Sequence, residues 1–260
     1  MPQSSLFILA TVLPFLAFAA ADTAQAQDYA QRLTMMVPVS QAQREVSVVA
    51  RPGLSSNATL PEALKLIRND MLAGIDVGPD NLRALADRWD GLAAQKYVRY
   101  LEANVPGAPA SDIAYYATIA VSTGRVWTLP DAIAAMHQLD PLTEPVARKR
   151  AYIAMLYPHA WAGNALALDA VIDLNGEGRL FGALSEETRV RILEQDATNG
   201  DGRAAMRMAL NLLSQDPVSA TDRALAQDYL QRAAATDNFP VKVTATNLLA
   251  LLDASAVPTQ

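Results

Sequence analysis

Residues 163–174 and 202–213 repeat one another, and this recurrence constrains the fold more than any other feature of the chain. The period is about 39 residues, the length of one stacked helical hairpin. Gly163 aligns with Gly202, Ala165 with Ala204, Ala170 with Ala209, Val171 with Leu210 and Leu174 with Leu213. A second helix type recurs in the same region. Ile192-Leu193 followed by Ala197 matches Tyr229-Leu230 followed by Ala234, and Gly91-Leu92-Ala93-Ala94-Gln95 leading into Tyr97, Val98 and Leu101 is an earlier relative. A small alanine lets a partner helix approach closely, and a large side chain one turn away fills the groove between them. One such hairpin leaves an apolar stripe uncovered, so successive hairpins must stack to bury it.

Helix signals extend the pattern beyond the repeat. Alanine occupies 49 of 260 positions and glycine only 12, a composition that favours helix because alanine loses no side-chain entropy on entering one. From Thr59 onward a helix start recurs about every 15 to 20 residues. Thr59 is placed to cap a helix with Pro61 in its first turn, and Asp80 to open one carrying Leu82, Leu85, Ala86 and Trp89. A run from Ala93 to Leu101 follows. Ser111 is placed to cap Ile113–Val121, and Thr128 to cap the helix with Pro130, Ile133, Ala134 and Met136. Further segments are predicted over 143–157, 160–174, 185–198, 202–214, 220–235 and 240–253. The connections are short, which forces neighbours to run antiparallel. The expected fold is therefore all-α, a solenoid of antiparallel helix pairs over residues 59–255, with a tail at 256–260.

The first segment reads as an address. Leu6–Ala21 is apolar but short for a membrane span, and the small-residue site Ala24-Gln25-Ala26 follows it. Residues 1–26 are expected to be a signal peptide, although no Lys or Arg precedes the apolar run. No membrane insertion is expected after its removal, and the expected location is periplasmic or secreted. The chain has no cysteine, which excludes a lipid-anchoring cysteine, thiolate metal sites and thiol nucleophiles. Residues 27–58 read as an extended leader. A short helix is expected over Asp28–Met36 and loops at 37–39 and 51–57. Val46, Val48 and Val49 could form a brief strand with no evident partner.

One stretch resembles a known repeat. Gly163-Asn164-Ala165, the loop glycines Gly176 and Gly178, the helix Arg191–Thr198 and the closing Gly200-Asp201 are similar to one Sel1-like repeat, a variant of the tetratricopeptide helix pair. The best match is 163–202. Residues 203–252 look like a continuation without the G-x-G loop, and 86–136 like an older copy with Gly124-Arg125-Val126-Trp127 at the loop position. Ile192 stands where the pattern has an aromatic, and Asp196 where it has alanine. The resemblance implies a right-handed α/α solenoid. It also implies an exported scaffold mediating protein–protein interaction in the bacterial envelope, in regulation or polysaccharide export.

Constellations that would carry chemistry are weak. The net charge of −6 argues against nucleic acid, which demands a basic face. Asp173, Asn175, Gly176, Glu177 and Gly178 imitate the start of a calcium loop, but Leu184 stands where its bidentate glutamate belongs, and Glu186 and Glu187 come late. His137 and His159 read as surface or cap residues, the latter in a turn after Pro158. Glu102, Glu144 and Glu177 are the candidate acids for the alternative function, an exported helical enzyme or binding protein acting on cell-wall glycan. A general acid needs an apolar pocket, and the neighbours of Glu102 and Glu177 suggest solvent. Trp89, Trp127 and Trp161 read as packing anchors, and Arg148-Lys149-Arg150 as a solvated face. No catalytic, cofactor-binding or metal residues are assigned. The expected activity is binding without bond chemistry, with an envelope protein as partner.

Overall fold

A computed structural model describes residues 46–255. The segment 1–26 expected to be a signal peptide, the rest of the expected leader to residue 45 and the tail at 256–260 lie outside the described residues. Within them the fold is all-α, without a named strand. The helices are α1 (Glu62–Leu72), α2 (Pro79–Ala86), α3 (Gly91–Asn104), α4 (Ala110–Ser122), α5 (Leu129–Met136), α6 (Val146–Trp161), α7 (Ala165–Leu174), α8 (Glu186–Asn199), α9 (Arg203–Leu213), α10 (Ala220–Ala234) and α11 (Phe239–Ser255).

Every substantial helix–helix contact joins neighbours or next-but-one neighbours in the chain. The closest are α4 with α3 and α5, α10 with α9 and α11, α2 with α3 and α6 with α7. Next-but-one contacts join α4 to α6, α5 to α7, α7 to α9 and α9 to α11. The repeat positions fall in like environments. Ala165, Ala170, Val171 and Leu174 are buried on α7, as are Ala204, Ala209, Leu210 and Leu213 on α9. Gly163 and Gly202 both have positive φ, and a Cβ on Gly202 would lie 2.3 Å from the Thr236 methyl. The second helix of the repeat departs from expectation. α8 packs chiefly against α9, and the long connection 175–185 holds it away from α7.

Several caps differ from the sequence reading. α1 and α4 begin after Pro61 and Pro109, so Thr59 and Ser111 cap neither. Ser111 sits inside the first turn of α4 and accepts a hydrogen bond from Arg148 instead. Thr128 occupies the cap position of α5 without a capping bond. The N-cap residues whose own side chains cap their helices are Asp90 on α3, Asn164 on α7, Ser185 on α8 and Ser219 on α10.

The end of the leader is bound to the helices. Val49 makes one antiparallel bridge with Thr123, which is the partner its sequence did not reveal. Arg51 N donates to Ser122 O (3.1 Å), Leu54 N to Trp89 O (2.9 Å) and Ser47 Oγ to Gly124 O (3.1 Å). Arg51 also lies over the Trp89 ring at 4.0 Å. Arg68 on α1 completes the clasp, reaching Asp90 Oδ2 (2.6 Å), Asn57 Oδ1 (2.6 Å) and the Leu54 carbonyl (3.0 Å). Asp90 thus pairs with Arg68 through one oxygen and caps α3 through the other.

Candidate functional site

The residues weighed from sequence for chemistry are mostly engaged within the fold. Asp173 does not face a loop interior; its carboxylate takes both Arg207 Nε (2.9 Å) and an Arg207 terminal nitrogen. Asn175 is buried, accepting from and donating to Tyr157 Oη and donating to the Val171 carbonyl (2.7 Å). The loop closes on itself through Gly176 N to Gly182 O (2.7 Å) and Phe181 N to Leu174 O (2.9 Å). Glu144 is buried and accepts from Tyr152 Oη (2.6 Å). His159 lies in α6, not in a turn, and is fully buried, with Nδ1 3.2 Å from the Val46 carbonyl. Burial pushes its pKa down.

The basic triplet is only partly a solvated face. Arg148 bonds Ser111 and Asp112 (2.8 Å) and lies 4.7 Å from the Tyr115 ring centroid, while Lys149 donates to the Pro141 carbonyl (3.0 Å). Trp89 and Trp161 pack against the core, as expected. Trp127 does not: it is 56% exposed. With its amide oriented to accept, Gln95 takes hydrogen bonds from the Trp127 indole N–H and from Arg99 (3.1 Å). Near this surface, desolvation raises the pKa of Glu102, with Asp131 adding to it, and desolvation also raises that of Asp131 against the pull of Arg99.

A groove of about 450 Å³ lies between α8 and α10, where the two helices stand apart. α8 contributes one helical face: Glu186, Arg189, Val190, Leu193, Glu194 and Ala197. The neighbouring face buries Ile192 and Asp196. α10 supplies Asp228, Tyr229 and Arg232. Val190, Leu193, Ala197 and the buried ring of Tyr229 make an apolar floor, and the charged residues make a rim. Arg189 pairs with Glu186 and lies beside the Tyr229 hydroxyl, which raises its pKa. Burial raises Tyr229 while Arg189 opposes the shift. Arg232 pairs with Asp228 at 3.0 Å.

Sequence reading singled out Leu193, Ala197 and Tyr229 as packing positions of the recurrent helix motif and not as the lining of an open groove. It missed Val190 and the rim. The available signal was a second apolar row at 190, 193 and 197 beside the buried 192 and 196, too many apolar positions for one buried stripe. No known protein family, curated protein or solved structure matches the chain.

Proposed function

We propose that this protein is an exported helical-repeat scaffold of Sel1-like type, a right-handed α/α solenoid that binds other polypeptides in the bacterial envelope. The observation that supports this reading is apolar surface left open at separate places on one all-helical chain. The α8–α10 groove is one such place. Leu66, Leu72 and Ile75 are exposed on and after α1, and Phe239, Val243 and Leu251 on α11. Patches of this kind, rimmed by charge, are what protein partners cover. The Asp, Glu, Arg and Tyr groups that could do chemistry are largely spent on internal pairing, which suits a binding role. Reciprocal capture from an envelope fraction tests the reading. Wild-type chain is expected to retain an envelope protein, and Phe239→Asp or Leu66→Asp to release it. Failure of every surface substitution to change what is retained overturns it.

The exposed Trp127, together with the carboxyls of Glu102 and Asp131 that desolvation pushes up, supports a second reading, binding or cleavage of cell-wall glycan. An aromatic face stacks on sugars, and two carboxyls held above their ordinary range are the raw material of glycoside hydrolysis. Glycan binding lost on Trp127→Ala, or hydrolysis lost on Glu102→Gln, would put this reading in the place of the first.

A further inference from the structure

The open face of α8 carries a pattern more specific than apolarity. Val190 and Ala197 are seven residues apart with Leu193 between them, the a, d, a spacing of a two-helix seam. Arg189 directly precedes the first a position and Glu194 directly follows the d position. These are the g and e positions. In a parallel pair, g of one helix reaches e of the next heptad on the other, five residues on.

We infer that the groove is filled by α8 of a second copy of this chain, the two helices running parallel about a two-fold axis. This rests on reading the groove as a docking site. It names the partner there and leaves the α1 and α11 faces to others. Val190 meets Val190 of the second copy and Leu193 meets Leu193, and a β-branched a position followed by leucine at d favours two strands. Arg189 faces Glu194 of the second copy, and symmetry repeats the pair. The charges also favour this direction: an antiparallel seam sets Glu187 against Glu194, and the g-position Asp196 that it would bring toward Arg189 is buried and bonded to the start of α9. The Arg189–Glu186 pair within one chain is an exposed i,i+3 contact that exchanges at little cost. Tyr229 at the groove floor offers a broad ring to the incoming helix. The contact is short, so the dimer should dissociate on dilution.

Sedimentation of the exported chain across micromolar concentrations is expected to show a monomer–dimer equilibrium. Glu194→Arg alone should give monomer, and Arg189→Glu combined with Glu194→Arg should restore the dimer. Because the chain has no native cysteine, Leu193→Cys gives an unambiguous crosslinking probe. Copper–phenanthroline and oxygen should couple it to a second copy, whereas Ala224→Cys, exposed on α10 outside the groove, should stay reduced. A chain that is monomeric into the hundreds of micromolar overturns the inference, as does a dimer indifferent to Glu194→Arg. If the chain is monomeric while Leu193→Asp still releases an envelope partner, the dimer fails and the scaffold reading survives. If the dimer forms as described and no envelope partner is retained, the scaffold reading alone fails.

Discussion

His159 is held neutral by its surroundings. Its Nδ1–H faces the Val46 carbonyl, while Nε2 is buried without a hydrogen-bond partner among the described residues. A proton on Nε2 would place an uncompensated charge in the core. The folded-state pKa is therefore lowered from the ordinary 6.5, with burial as the main cause. The sign follows: below 6.5 the unfolded chain binds the proton more readily, so stability is complete above that pH and falls as pH drops toward the folded value. Melting temperature measured from pH 8 to 5 should decline below about 6.5, and His159→Asn should flatten the decline. His137, shifted the same way by desolvation, retains the remainder. Charge is also buried between α7 and α9, where Arg203 meets Asp169 at 3.0 Å and Arg207 lies 3.7 Å from the same carboxylate. Arg203→Met should cost about 3 kcal/mol by leaving Asp169 under-compensated, whereas Asp169→Leu with Arg203→Met should cost much less. Chemical denaturation of the two variants checks this. The sequence reading placed His159 in a turn as a surface or cap residue and did not mark this pair, because burial of a lone polar residue is decided by elements far away in the chain.

At the scale of elements, local signals located the helices, and tertiary partners decided how they end. The segments expected at 185–198, 202–214 and 220–235 fall within a residue or two of α8, α9 and α10. Ser111 carried the right chemistry for a cap, yet Pro109 starts α4 earlier and Arg148 claims the hydroxyl. Asp196 shows the reverse. It departs from the Sel1-like pattern as a residue of α8, and the fold uses it to cap α9: its carboxylate accepts from Ala204 N (2.9 Å) and Ala205 N (3.1 Å). α9 begins after Gly202, whose missing side chain cannot cap. Asp196→Ala should destabilise the protein by about 1 to 2 kcal/mol, and Asp196→Asn by less. Two glycines separate steric need from backbone need. A Cβ on Gly91 would stand 1.9 Å from Thr123 Oγ1, where α3 meets the end of α4, although its φ is not positive. A Cβ on Gly107 would meet nothing within 4 Å, but its φ is +69°. Gly107→Ala should cost about 1 kcal/mol of backbone strain. Gly91→Ala should cost more, and should also loosen residues 46–54, which hydrogen-bond along that junction.

Across the whole molecule, contacts between helices stay local in sequence, and this sets how the chain should come apart. Among the described residues, α1 to α5 and α8 to α11 share no substantial contact; α6 and α7 lie between them, and Val46 meets His159 on α6. In a chain built this way, stability is close to a sum of each helix's own terms and its interfaces with neighbours. The two ends should then respond separately to damage. Tyr229 is buried on α10 beneath the groove, and Tyr229→Ala removes a ring at the α8–α9–α10 junction. Amide hydrogen exchange should then speed up through α8–α11 and leave α2–α5 at wild-type protection. The matching core substitution at the other end is Tyr116→Ala, since Tyr116 packs edge-on against Tyr97 at 4.9 Å and bridges Arg83 and Asp87. It should loosen α2–α5 and spare α9–α11. Loss of protection throughout the chain from either substitution would mean one cooperative globule. The repeat would then be a matter of local packing, and the stacked architecture behind the scaffold reading would lose its basis.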